Sequence, residues 1–102
     1  MATERVTASV SSDDAGTGWL SLKGSRENVF SVQVGGSFVA TVTIQMKRAG
    51  AADNTAVPMD GGTIDAPIGK RGVLPGAWEV RAFVVSGDYV SGTAELAIYH
   101  DG

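Results

Sequence analysis

Hydrophobic and polar residues alternate with a period of two along most of this chain, the period of a pleated strand with one face buried. In "FVATVTIQM", residues 38 to 46, Phe38, Ala40, Val42, Ile44 and Met46 share one face, and Val39, Thr41, Thr43 and Gln45 share the other. Just upstream, "NVFSVQV" sets Phe30, Val32 and Val34 against Ser31 and Gln33. Gly35-Gly36-Ser37 lies between the two runs. A Gly-Gly pair supplies the positive φ that a two-residue hairpin turn demands, so the pattern predicts a hairpin over residues 28 to 47 as the spine of the domain.

A third run, "AWEVRAFVV" at 77 to 85, places Trp78, Val80, Ala82 and Val84 on one face. Its second half is apolar on both faces, which predicts a central strand or a subunit contact. The stretch "VVSGDYVSGTAELAIYH", 84 to 100, reads as strand, corner and strand, a second hairpin with Ala94, Leu96 and Ile98 facing inward. Tyr89 stands in that corner, where an aromatic ring packs beneath the turn and bonds its hydroxyl to backbone.

Toward the N-terminus, "RVTASV" and "GWLSLK" read as short strands separated by the polar segment Ser11 to Gly18. Residues 49 to 76 are the least regular. They predict two short edge strands, near 55–59 and 63–68, joined by Asp60-Gly61-Gly62. Seven to eight short strands with turns every eight to twelve residues predict an all-β protein, an antiparallel β-sandwich of immunoglobulin-like or jelly-roll-like type. The expectation is one domain over residues 1–102, with residues 1–5 as a flexible arm.

Composition narrows the function classes. At 102 residues the chain is one domain. Hydrophobic residues are 43% and charged residues 19%, which places it with globular rather than disordered chains. A net charge of −3, with no basic stripe, argues against a nucleic-acid partner. Cysteine is absent, which excludes disulfides and cysteine metal sites and fits a reducing cytoplasm. No apolar run is long enough for a membrane helix, and "MATER" is not followed by the apolar run of a signal peptide.

Candidate chemistry is sparse. His100 is the one histidine, near the end of the chain with no nucleophile motif to pair with, and reads as a solvated tail residue. Asp13-Asp14 are adjacent and point apart in an extended chain. Asp60 and Asp65 flank a glycine turn but lack the alternating ligands of a calcium loop, so they read as turn formers. Gly69-Lys70-Arg71-Gly72 lacks the spacing of a phosphate loop. No catalytic, cofactor-binding or metal-ligating residue is expected, and no cofactor.

What remains is surface. Lys47, Arg48, Lys70 and Arg71 are two basic pairs on an acidic protein, able to dock on an acidic partner. Trp19 follows Gly16-Thr17-Gly18 and is the better placed of the two tryptophans for exposure and sugar stacking. Val39, Phe83 and Val85 are apolar on nominally outer faces, which allows burial against another copy. With Arg5 of the arm, the expected interface residues are Arg5, Trp19, Val39 and Phe83 together with the two basic pairs.

One resemblance sharpens this. "GSFVATVTIQMKR" followed by "PGAWEVRAFVVSGDYVSGTAELAIY" resembles a pattern in small virion structural proteins of tailed bacteriophages. The matching residues include Gly36, Phe38 and Thr41–Gln45, Pro75, Gly76, Trp78 and Arg81, then Gly87, Asp88, Tyr89 and Ser91–Thr93. The match covers about residues 28 to 99. The resemblance implies a non-enzymatic capsid decoration or cement protein. It would be made in the bacterial cytoplasm and bound to the virion's capsid exterior, with the major capsid protein or another virion protein as partner. It also implies a homo-oligomer, a trimer favoured, with no nucleic acid and no membrane. Its rivals are a carbohydrate- or surface-binding module, a tail or head–tail junction component, and a small enzyme or inhibitor.

Overall fold

The computed structural model describes residues 4–22 and 27–100. They form nine strands in two antiparallel sheets: β1 (Glu4–Val10), β2 (Ala15–Gly16), β3 (Leu20–Leu22), β4 (Glu27–Ala40), β5 (Val42–Arg48), β6 (Val57–Ile64), β7 (Ile68–Pro75), β8 (Trp78–Val84) and β9 (Tyr89–His100). The first sheet has the order β1-β9-β4-β7, and the second has β2-β8-β5-β6 with β3 also paired to β8. The fold is thus the predicted all-β sandwich, with nine strands where seven or eight were expected. Two of them are long, β4 with 14 residues and β9 with 12.

The core is what the alternation selects. Phe30, Val32 and Val34 of β4, Val42 and Ile44 of β5, Val80, Ala82 and Val84 of β8, and Ala94, Leu96 and Ile98 of β9 are all buried between the sheets. Each set occupies every second position, so each of these four strands presents one apolar face to the gap. β8 is flanked by β5 on one side and by β2 and β3 on the other, which accounts for its apolar second half.

Both predicted hairpins are corrected. β4 runs unbroken through Gly35-Gly36 and turns only at Thr41, after a register shift between Val39 and Ala40. It pairs with β7 and β9, whereas β5 pairs with β6 and β8. The 84–100 segment likewise carries the chain from the second sheet (β8) to the first (β9). The glycines serve strand contact rather than a turn. At Gly36, φ is +90°, and an added Cβ would stand 2.5 Å from Thr93 O. At Gly92, φ is +85°, and its Cβ would stand 2.3 Å from Ser37 O. Each glycine vacates the space its partner's backbone occupies, so β4 and β9 approach closely.

The irregular middle also differs from expectation. Residues 57 to 64 are one strand, with Thr43 opposite Thr63 and Gln45 opposite Pro58, so Met59–Gly62 bulge away from β5. Asn28, buried at 1% exposure, donates its Nδ2 to Leu74 O (3.1 Å) and Gly76 O (2.8 Å), tying β4 to the turn between β7 and β8. Asn28→Ala would leave those part-buried carbonyls without this donor and is expected to lower stability by about 1–3 kcal/mol, read by urea unfolding.

Candidate interaction surfaces

Two places on the sandwich gather side chains that the core does not use. The first is one end, where the β4–β5 and β8–β9 corners meet the segment between β1 and β2. Asp13 Oδ1 accepts from the backbone N–H groups of both Gly87 (3.1 Å) and Tyr89 (2.9 Å). Asp88 N donates to Val85 O (3.0 Å), and Thr41 N donates to Asp88 O (2.9 Å). Tyr89 packs on the core and gives its hydroxyl proton to Gly92 O (2.9 Å), as its corner position predicts. Gly87 sits at φ +93° with no atom within 4 Å of where a Cβ would stand. The Ser86-Gly87-Asp88 corner is therefore exposed at its tip and held rigidly beneath it.

Around this tip the surface is apolar. Val39 is 57% exposed, Val90 69% and Val85 36%. An open groove of about 310 Å³ runs between Phe38–Thr41, Asp65, Asp88 and Val90. Exposed valines on a fixed corner are the material of a protein contact.

The second place is the outer face of the second sheet. Thr17 fills the break between β2 and β3: its N–H donates to Ala82 O (2.9 Å) and its Oγ1 accepts from Ala82 N (3.1 Å). That anchor sets Trp19 against the sheet. Arg81 lies over the Trp19 ring at 4.4 Å and over the Phe83 ring at 4.0 Å. Its Nε donates to Gln45 Oε1 at 2.7 Å. Burial draws the Arg81 pKa below its ordinary value, against the opposing field of Asp53. Lys47 is buried, with Nζ 3.2 Å from both Asp53 Oδ1 and Glu79 Oε1 and donating to Ala51 O at 2.5 Å. Burial pulls the Lys47 pKa down, but its hydrogen bonds and charge pairing with those two carboxylates outweigh this and leave it raised.

The expected interface residues do not form one patch. Trp19, Lys47 and Phe83 share the outer face of the second sheet. Arg48 lies over Trp78 at 5.0 Å. Arg5 is on β1 and Lys70 and Arg71 are on β7, opposite edges of the first sheet. Lys70 Nζ donates to Gly61 O at 2.7 Å, bridging β7 to β6. Val39 alone belongs to the exposed corner. The predicted arm is corrected in part: Glu4 and Arg5 are paired with His100 and Tyr99 as the start of β1, and residues 1–3 lie outside the described residues. His100 is not a tail residue but the last residue of β9, with Nε2 buried and unpartnered. Among the described residues no group of three metal-ligating side chains occurs. The cations over Trp19 occupy ring surface that a sugar would need.

Sequence reasoning missed Asp13 and Arg81 as the organisers of these two places. Asp13 acts across 74 residues of chain, and nothing local marks its partners. Arg81 alternates with core residues, and only the register of β5 and β8 places Gln45 beside it.

No known family matches the chain, and no curated protein matches it. Among solved structures it is similar to PliG of Aeromonas hydrophila, a periplasmic lysozyme inhibitor of g-type lysozyme. The TM-score is 0.56 at 16% identity, over 97% of this chain and 86% of that one. At that identity the likeness is one of fold. It corrects the virion reading. The residues that suggested a capsid decoration protein are turn and core positions, and the sandwich they build is similar in fold to that inhibitor. The capsid or tail role, the major capsid protein as partner, the trimer and the location on the capsid exterior are withdrawn. The carbohydrate-binding alternative fits no better. That protein is an inhibitor of an enzyme and not itself an enzyme.

Proposed function

We propose that this chain is a non-enzymatic inhibitor of a lysozyme, working in the cell envelope and entering the enzyme's cleft with the Ser86-Gly87-Asp88 corner. The observation that carries this reading is the rigid exposed corner, standing on a sandwich whose whole length parallels an inhibitor. Glycoside hydrolysis runs on carboxyl groups in a cleft built for an extended sugar chain. A narrow tip with a serine hydroxyl donor and no side chain at Gly87 fits such a cleft. Val39, Val85 and Val90 then supply apolar contact at its margin. The Asp13 carboxylate fixes the corner before binding, so little conformational entropy is lost on association.

The test is direct. Purified chain is added to g-type lysozyme, and lysis of peptidoglycan is followed by turbidity, with a c-type lysozyme in parallel. The expected result is stoichiometric loss of g-type lytic rate. An undiminished rate at large molar excess against both enzymes sinks the proposal.

A further inference from the structure

On the outer face of the second sheet, some donors stand without a partner among the described residues. Arg81 carries five N–H donors, and Gln45 Oε1 takes the one on Nε. Among the described residues no partner meets the two terminal nitrogens of its guanidinium. Trp19 Nε1, in the same stack, is buried and without a partner. Asp53 and Glu79, the nearby carboxylates, are engaged by Lys47.

The guanidinium is also held still. It stacks on two rings, Trp19 at 4.4 Å and Phe83 at 4.0 Å, and its Nε bond to Gln45 Oε1 restrains it further. An unclamped arginine loses rotamer freedom whenever it binds, whereas this one has already lost it. A planar fork with its two outer nitrogens open matches a planar anion with two oxygens.

We propose that Arg81 is the centre of a preformed carboxylate receptor on the outer face of the second sheet, separate from the Ser86–Asp88 corner and independent of the inhibitor reading. The carboxylate is that of a small free acid or of an acidic side chain on a partner; both present the same two oxygens to the fork. Trp19 and Phe83 give the adjoining methylenes an apolar edge to lie against.

The experiment follows the Arg Nε–H and Trp Nε1–H signals of 15N-labelled protein. Sodium acetate is titrated against sodium chloride at equal ionic strength, then acetyl-glutamate amide against acetyl-glutamine amide. Saturable shifts of the Arg81 and Trp19 signals with acetate, absent with chloride, are expected. Binding of the capped glutamate tighter than acetate assigns the site to an acidic side chain; equal affinity assigns it to a free acid. Arg81→Lys, which keeps the charge and loses the fork, should bind about tenfold more weakly. Gln45→Leu, which leaves the stack in place, should also weaken binding. Equal shifts with chloride, or unchanged acetate binding in both variants, overturn the proposal.

Discussion

Phe30→Ala is expected to destabilise the protein more than any other single core truncation. The ring is 1% exposed and lies between the two sheets. Deleting a buried phenylalanine side chain removes its transfer free energy and leaves a cavity, together about 3–5 kcal/mol. A domain of this size holds a net stability of about 5–15 kcal/mol, so the loss is a large fraction of the whole. The melting temperature should fall by at least about 12 °C, read by circular dichroism. The site also explains Gly72. A Cβ there would stand 2.5 Å from Phe30 Cζ and 3.1 Å from Met59 Cε, so the ring packs directly over the β7 backbone. Gly72→Ala should therefore destabilise on its own. In combination with Phe30→Leu, which shortens the side chain, part of that loss should be recovered, because the two residues share one space. Strict additivity would show that the glycine is there for another reason.

The same residues mark what the sequence reveals. Phe30, Val32 and Val34 announce a buried strand face because burial imposes a local period, and the core residues of β4, β5, β8 and β9 named above follow it. Sheet membership is not local. A strand that folds back on its neighbour and one that crosses to the facing sheet both need a corner, and both keep the alternation. Gly35-Gly36 satisfies a hairpin turn as well as it satisfies close contact with Thr93 O. Only the partner strand decides between them, and β9 lies more than fifty residues away. Asp60-Gly61-Gly62 misleads for the same reason, since a bulge within β6 and a turn between two strands use the same residues.

Sites are less legible than the fold because they are assembled from pairs distant in sequence. Val39 is readable as an outward apolar residue, and the structure leaves it exposed beside Val90. Lys47 is readable as a charge, but its burial against Asp53 and Glu79 is not, since the 3₁₀ turn at Asp53–Thr55 must first bring Asp53 to it. The virion resemblance failed as a guide to role for a related reason. Its residues are those that any sandwich of this path needs at its corners, so they specify a shape and leave the partner open.

Asp13→Ala should abolish most of the inhibition while leaving the fold intact. Asp13 Oδ1 accepts from the Gly87 and Tyr89 N–H groups and so fixes the corner on which the proposed inhibition depends. Without it, residues 86 to 88 sample other conformations, and binding must order them again. Losing two charge-assisted bonds to an exposed loop weakens inhibition by about 10–100-fold when that ordering falls on the binding step. Asp13→Asn keeps an acceptor oxygen at the same place and should lose far less. Val73→Ser, on the β7 edge, should leave inhibition unchanged. The measurements are the inhibition constant against g-type lysozyme and the melting temperature of each variant. If the corner enters the cleft, the alanine variant loses affinity with little change in melting temperature. Equal inhibition by all three variants would mean that some other face of the sandwich meets the enzyme.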